Sequence, residues 1–234
     1  MIPTVSPEIF EKLKALDTCT VSNAIERLDV RLRNEGFMAG TIRCRFPGFK
    51  PMLGYAATGR IRSSTPPLRG HCYYDRMDFW KYLASLPAPR VLVLADVDPQ
   101  PGLGAFVGEM HASIAAALDC SGCVTSGAVR DLPAVRSLGF HMFSACVSVS
   151  HAYAHLVDFG EPIHIGGLKV NSGDLMHGDL HGVQTIPVDA AGEILREAEQ
   201  IQASEYELKR FCQSAEFSLE GLARKLRRSS PDCL

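Results

Sequence analysis

The sequence predicts an α/β protein: a parallel sheet with crossover helices, flanked by helical extensions at both ends. Three observations carry this. Between Val91 and Val149, apolar strand-like runs alternate with helical segments in the order strand, helix, strand, helix, strand. Both ends of the chain place apolar residues at helical spacing, whereas 41–62 and 163–187 break into short runs punctuated by glycine and proline. Alternation of that kind favours parallel pairing, because a right-handed crossover helix packs back onto the sheet it leaves. The 234 residues read as one domain, with a helical N-terminal arm over 1–40, an α/β core over 41–187 and a C-terminal helical extension over 188–234.

Taken in order, Ile9, Phe10, Leu13 and Leu16, then Val21, Ile25 and Leu28, mark two helices, with Asp17 or Thr18 placed to cap the second. Thr41 to Arg62 alternates in short runs broken by Gly40, Pro47, Gly48, Gly54 and Gly59, the pattern of strands and turns. Ser63 to Gly70 reads as a loop, and Asp78 to Leu86 as a short helix stopped by Pro87 and Pro89. Val91 to Ala95 is a buried strand. Gly104 to Leu118 predicts a helix with Phe106, Met110, Ile114 and Leu118 along one stripe. Cys123 to Thr125 makes the next strand, Asp131 to Leu138 a helical turn or two, and His141 to Val149 a further strand. Short strands broken by Gly166-Gly167, Gly173-Asp174 and Gly178-Asp179 follow, and Ala190 to about Arg228 is a charged helical stretch.

Composition narrows the function classes. A 46% hydrophobic content in a chain this long supports a substantial core. A net charge of -2 supplies no dense basic face for nucleic acid, so small molecules or further copies of the chain are the expected partners. The basic run from Arg224 to Arg228 is interrupted by Leu226 and reads as a solvated helix end. The start, Met1 to Glu8, lacks the basic and apolar stretches of a secretory signal, and no run approaches membrane-spanning length. Eight irregularly spaced cysteines do not form a disulfide framework, and a reducing cytoplasm is the expected location. Cys120 and Cys123 have the spacing of a redox dithiol or half a zinc site, but no second pair accompanies them.

Ligands of open parallel sheets gather at the carboxyl ends of the strands, where helix N-termini aim backbone amides outward. Two such places are legible. One is the turn-rich loop from Asp98 to Gly104, leading into Gly108-Glu109-Met110-His111; the other is Gly127-Ala128-Val129-Arg130-Asp131 after the next strand. Arginine beside aspartate could be a surface ion pair of about 0–1 kcal/mol. Its place after a strand, with Glu109 on the neighbouring element, also suits a hard cation held by carboxylates next to a guanidinium that takes an anionic substrate. His151 and His155, and His177 and His181, lie four apart as zinc ligands do on a helix, yet neither stretch is helical in pattern, so these histidines read as structural or as supports for the residues of a site. Ser22, Ser126 and Ser172 have no legible triad partners, and no glycine-rich nucleotide loop stands at dinucleotide-fold spacing.

The series Leu92 to Asp96, Gly108-Glu109-Met110, Ser126 to Asp131, Gly166 to Val170, Ser172-Gly173-Asp174 and Gly178 to Val183 resembles the RraA-like family, which contains the 4-hydroxy-4-methyl-2-oxoglutarate aldolases. Leu16-Asp17-Thr18 with Val21 to Ile25 belongs to the same resemblance, which runs from about residue 10 to 210. It implies a layered β/β/α swivelling fold assembled as homotrimers or homohexamers with sites between subunits. It further implies that Asp131 binds Mg²⁺ or Mn²⁺, that Arg130 holds the oxo and carboxylate oxygens of the substrate, and that Glu109 holds water of the cation's shell. Backbone amides near Gly108, Met110 and His111 would take the substrate carboxylate, and a further acid, Glu205 or the nearby Glu207, would come from a neighbouring subunit.

The activity so implied is a lyase that cleaves a 4-hydroxy-2-oxo acid to pyruvate, or decarboxylates oxaloacetate, through the same enolate. Other members of the family are non-catalytic ribonuclease regulators, which tend to lack the aspartate that this chain has after Arg130. Two departures stand out. His111 replaces the usual leucine, which would put an imidazole beside the carboxylate pocket, and Asn171-Ser172 precede Gly173 where proline is usual. The stretch between Arg60 and Arg90, with Arg62, Arg69, His71, Tyr73, Tyr74 and Arg76, is expected to form a lid, a subunit contact or a plain insertion.

Overall fold

The structure is a computed structural model that describes residues 2–67 and 76–229. Two helices open the chain. Helix α1 (Pro7–Lys14) starts at Ser6, whose Oγ accepts from the Ile9 amide at 3.3 Å, with proline in its first turn. Helix α2 (Thr18–Arg27) is capped by Asp17, which accepts from the Thr20 amide at 2.8 Å. There follow β1 (Arg43–Cys44), β2 (Met52–Arg62), α3 (Met77–Ser85), β3 (Arg90–Asp96), β4 (Ala105–Val107) and α4 (Glu109–Ala117). After these come β5 (Cys120–Val129), α5 (Leu132–Ser137), β6 (His141–Val147), β7 (His155–Phe159), β8 (Ile163–Ile165), β9 (Leu168–Val170), β10 (Leu175–Asp179) and β11 (Gly182–Ile186). Two helices, α6 (Ala191–Cys212) and α7 (Leu219–Ser229), close the described chain.

The main sheet runs β1-β6-β5-β3-β2-β10-β11, with β4 added to β5 and β7 to β2. Its centre is parallel, β6 on β5, β5 on β3 and β3 on β2, as the strand–helix alternation requires. The layering follows from the two-residue period of a strand buried on both faces. Leu92 and Leu94 of β3 turn to one face and pack with Phe79, Trp80 and Leu83 of α3 and Ala112 and Ala115 of α4. Val91, Val93 and Ala95 turn to the other, where Ile163, Ile165, Leu168 and Val170 of the β8–β9 hairpin cover them. Helices on one face and a second, small sheet on the other give a layered β/β/α fold.

A third cluster joins the two ends of the chain. Phe10, Leu13, Val21 and Ile25 from the first two helices meet Ile194, Leu195, Ala198 and Ile201 of α6 over Leu53, Tyr55, Leu175 and Ile186 of the sheet. Full burial of each such side chain is worth roughly 1.5–3 kcal/mol, so the terminal helices are fastened to the sheet and to each other.

Several boundaries differ from expectation. The helix read from Gly104 begins only at Glu109, because Ala105 and Val107 pair with Ala128 and Val129 as a strand and Gly108 ends that pairing in extended conformation. Phe106 is therefore buried in a strand rather than on a helical stripe, and Met110 is 55% exposed. The strand read at 123–125 extends to Cys120–Val129, so Cys120 and Cys123 both lie within it. The next strand ends at Val147, and the C-terminal helical stretch breaks between Cys212 and Leu219. Among the described residues, no helix is long and apolar enough to cross a membrane.

Candidate anion and cation site at the end of the central strand

Because β5 ends at Val129, Arg130 and Asp131 leave the sheet at its carboxyl edge. The Arg130 amide donates to the Val107 carbonyl at 3.1 Å, which ties this exit to β4. Asp131 takes a left-handed conformation, φ 56°, as the residue preceding α5. A non-glycine residue gives up about 1–2 kcal/mol there, so the surrounding contacts must hold it.

Those contacts converge on its carboxylate. Asp131 Oδ2 accepts from the Glu109 amide at 3.1 Å and from Arg130 Nε at 3.2 Å, while Oδ1 stands 3.3 Å from the same Nε. One carboxylate thus joins the end of β5 to the start of α4. Gly108 makes the approach possible: a Cβ there would stand 2.5 Å from Asp131 Oδ2 and 2.9 Å from Arg130 Cγ. Beyond Glu109, the Met110 and His111 amides belong to the first turn of α4, where no intrahelical acceptor exists and the helix dipole favours negative charge.

The far side of the guanidinium meets the loop between β6 and β7. Arg130 Nη1 lies 3.1 Å from His151 Nδ1 and 3.5 Å from the Val149 carbonyl. A guanidinium has no lone pair, so the imidazole accepts and Nδ1 is unprotonated. Burial, and then the Arg130 charge, hold His151 below its ordinary range against the opposite pull of Asp131.

The turn-rich loop on the same edge is fastened by its own carboxylates. Asp98, buried, accepts from the Ser63 and Ser64 amides at 2.7 and 2.9 Å, and Asp96 accepts from the Asp98 and Gly102 amides at 3.0 and 2.8 Å. Burial raises the Asp96 carboxyl above its usual range.

Gly108, Glu109, Arg130 and Asp131 therefore come together as the sequence suggested. Other expected residues do not. The His111 imidazole is 1% exposed, turned into the core against Phe106 (ring centroids 4.5 Å apart) and Trp80 (5.9 Å), because the apolar face of α4 is the one that packs on the sheet. The His111 amide lies in the first turn of α4. The Met110 side chain is exposed. Glu205 pairs with Lys209 at 3.0 Å and Glu207 with Arg210 at 3.7 Å on α6, which packs against α1, α2 and α7. A single copy of the chain does not bring either acid to Arg130.

Among the described residues, no cluster of three or more His, Cys, Asp or Glu side chains could hold a metal. The donors at hand are the Asp131 carboxylate, 34% exposed, and the exposed Glu109. Carboxylate oxygens are the ligand type magnesium and manganese take, with several waters kept.

The histidine pairs do not meet as ligands. His155 bonds the Tyr153 carbonyl, fully buried His177 bonds the Leu16 carbonyl, and His181 bonds Asp179. Cys120 and Cys123 are buried, and burial pushes the Cys120 thiol up to about 12 and Cys123 up as well, so neither is a reactive thiolate. Of the expected lid or contact, Arg62 faces Asp98 and Arg76 pairs with Asp78, whereas Arg69, His71, Tyr73 and Tyr74 lie outside the described residues.

Fold and site together define a layered β/β/α protein with an arginine–aspartate pair at the carboxyl end of its central strand, against a helix N-terminus. The pattern of the RraA-like family (Aldolase/RraA) matches residues 18–184, and the chain belongs to that family. A protein of Halalkalibacterium halodurans named "Putative 4-hydroxy-4-methyl-2-oxoglutarate aldolase" is 33% identical over 104 residues, 43% of this chain and 49% of that protein. Protein DlpA of Legionella pneumophila is 27% identical over 206 residues, 87% of this chain and 31% of DlpA. The chain thus spans about half and about a third of the lengths of these two relatives. An uncharacterized protein from Pseudomonas syringae has the same fold, with a TM-score of 0.72 at 22% identity over 94% of this chain and 98% of that one. RraAS2 of Streptomyces coelicolor, described as an unusual member of the RNase ES inhibitor RraA family, gives 0.67 at 23% identity over 87% and 97%.

Proposed function

We propose that the chain is a divalent-metal-dependent carbon–carbon lyase that cleaves a 4-hydroxy-2-oxo acid to pyruvate and a second oxo acid, and that decarboxylates oxaloacetate at the same site. The observation that carries this reading is the Asp131 carboxylate, held between the Arg130 guanidinium and the first amide of α4 at 3.1–3.2 Å. Asp131 would hold Mg²⁺ or Mn²⁺, and Glu109 would hold water of the cation's shell. When bound, the cation would neutralise charge developing on the 2-oxo oxygen of the substrate.

The chain's own residues supply the rest. Arg130 donates to the substrate's oxo and carboxylate oxygens, and the first-turn amides of Met110 and His111 take the carboxylate at the helix N-terminus. In the aldol cleavage the C3–C4 bond breaks, its electrons pass into the enolate of pyruvate, and the C4 hydroxyl becomes the carbonyl of the second product. With oxaloacetate the same bond breaks and carbon dioxide leaves. The proton lost from the hydroxyl and the proton returned to C3 need an acid–base group, and Glu109 is the exposed carboxylate at the site that can carry it. A homotrimer or homohexamer would add Glu205 from a neighbouring copy.

Coupling pyruvate release to lactate dehydrogenase, with oxaloacetate and with branched 4-hydroxy-2-oxo diacids, tests the reading. Turnover is expected with Mg²⁺ and none with EDTA. Asp131→Ala should abolish it, and Arg130→Ala should cost roughly 10²- to 10³-fold, as removal of one oxyanion donor does. A protein inert towards every such acid in the presence of Mg²⁺ overturns the reading and leaves the family's other role, a non-catalytic regulator, as the one to pursue.

A further inference from the structure

We infer that His151 is a positioning residue for Arg130: its Nδ1 holds one end of the guanidinium and so fixes the orientation in which Arg130 meets an anionic ligand. The role in turnover rests on the lyase reading above; the contact itself does not.

The guanidinium is gripped at two points. Asp131 takes Nε–H at 3.2 Å, and His151 Nδ1, with the Val149 carbonyl further off, takes Nη1. Among the described residues nothing bonds Nη2, so its two N–H groups remain for a ligand. A neutral acceptor is the kind that fits this purpose. A second carboxylate in place of the imidazole would orient Arg130 equally well but would cancel the charge that attracts an anion.

The loop that carries His151 is held firmly enough to do this. The Ser150 carbonyl accepts from the Ala105 amide at 2.9 Å, and the His151 carbonyl accepts from Ala154 at 2.9 Å. Ala152 stands in the left-handed region at φ 48°, its amide donating to Ser150 Oγ at 2.9 Å. A side chain on Gly104 would run into the His151 backbone, so the turn before β4 is shaped to this loop. Asp131 and Ala152, both non-glycine residues with positive φ, thus lie on the two sides of one guanidinium.

Two measurements on the intact protein test the inference. The first is imidazole nitrogen NMR at pH 7, where His151 is expected as the tautomer protonated on Nε2, with an Nδ1 signal that moves in Arg130→Ala. An Nδ1-protonated ring, or a signal indifferent to Arg130→Ala, overturns the proposal whatever the catalytic activity. The second is turnover of oxaloacetate with Mg²⁺. His151→Ala should lower kcat roughly 10- to 100-fold, the range for partners that orient a site residue. His151→Asn, whose amide oxygen can replace Nδ1 as acceptor, should recover most of the loss, and His151→Gln, which resembles Nε2 instead, should not. Equal losses in the alanine and asparagine variants at unchanged melting temperature, or no loss in either, also overturn it. Should the wild-type protein turn over no substrate, the lyase reading fails, and the NMR result alone decides the role of His151.

Discussion

At the scale of single residues, the site depends on a missing side chain as much as on those present. Gly108 lets the Asp131 carboxylate come within 3.1 Å of the Glu109 amide, and any Cβ at residue 108 would displace it. Gly108→Ala is therefore expected to lower turnover by roughly 10²-fold, the effect of about 1 Å of misplacement at a reacting centre. Its melting temperature should move by only a few degrees, because alanine for glycine at a helix N-cap costs about 1 kcal/mol or less. Loss of activity together with gross unfolding would show Gly108 to be a core residue instead. Arg130, Asp131 and Glu109 were legible because charged residues follow apolar and small ones on neighbouring elements, although β5 runs on through Gly127 to Val129. The partner of His151 was not, since a 21-residue separation across a helix, a strand and a loop leaves no periodic trace.

At the scale of elements, the first two helices were legible from apolar spacing and from their caps, and the caps can be tested. Asp17 accepts from the Thr20 amide at 2.8 Å and from the Thr20 hydroxyl at 2.7 Å. Asp17→Ala is expected to cost about 1 kcal/mol in urea denaturation. Its kcat should stay within about twofold of wild type, because a cap on α2 orients nothing at Arg130; a large fall in kcat would argue that α2 belongs to the site. The start of α4 was misread for a reason that propensity cannot repair. Ala105, Phe106 and Val107 are as apolar as a helical stripe, and only their pairing with β5 makes them a strand.

At the scale of the whole molecule, buried histidines tie stability to pH. Burial lowers His177 and His141 to about 4 from an ordinary value of 6.5. With the folded value below the unfolded one, the unfolded chain takes up protons first as pH falls. Stability is full above about pH 6.5 and is lost between 6.5 and 4, by about 2 kcal/mol for each ring at pH 5. Urea denaturation at pH 7 and pH 5, at one protein concentration, should show this drop, and His177→Gln should make it about half as large. A flat profile from pH 7 to 5 would mean that the two rings are hydrated in solution. Assembly also belongs to this scale: light scattering is expected to give three or six times the 25.5 kDa of one chain, and a stable monomer would remove the proposed route for Glu205.

By itself the sequence determined the alternation of strands and helices, the buried parallel centre, the terminal helices and the arginine–aspartate pair, because each is written in local periodicity and in residues that end a strand or start a helix. The tertiary structure decided what those patterns cannot express. Alternate residues of β3 could be seen to be apolar, but not that one face would meet α3 and α4 and the other the β8–β9 hairpin. His111 looked like a ligand beside the helix start and is a core residue, because the rotation of α4 on the sheet, and not its position in the chain, sets which side chains face inward. His151 read as structural or as a support for a site residue, and only the folded sheet, which brings two loops to the same edge, shows that the residue it touches is Arg130.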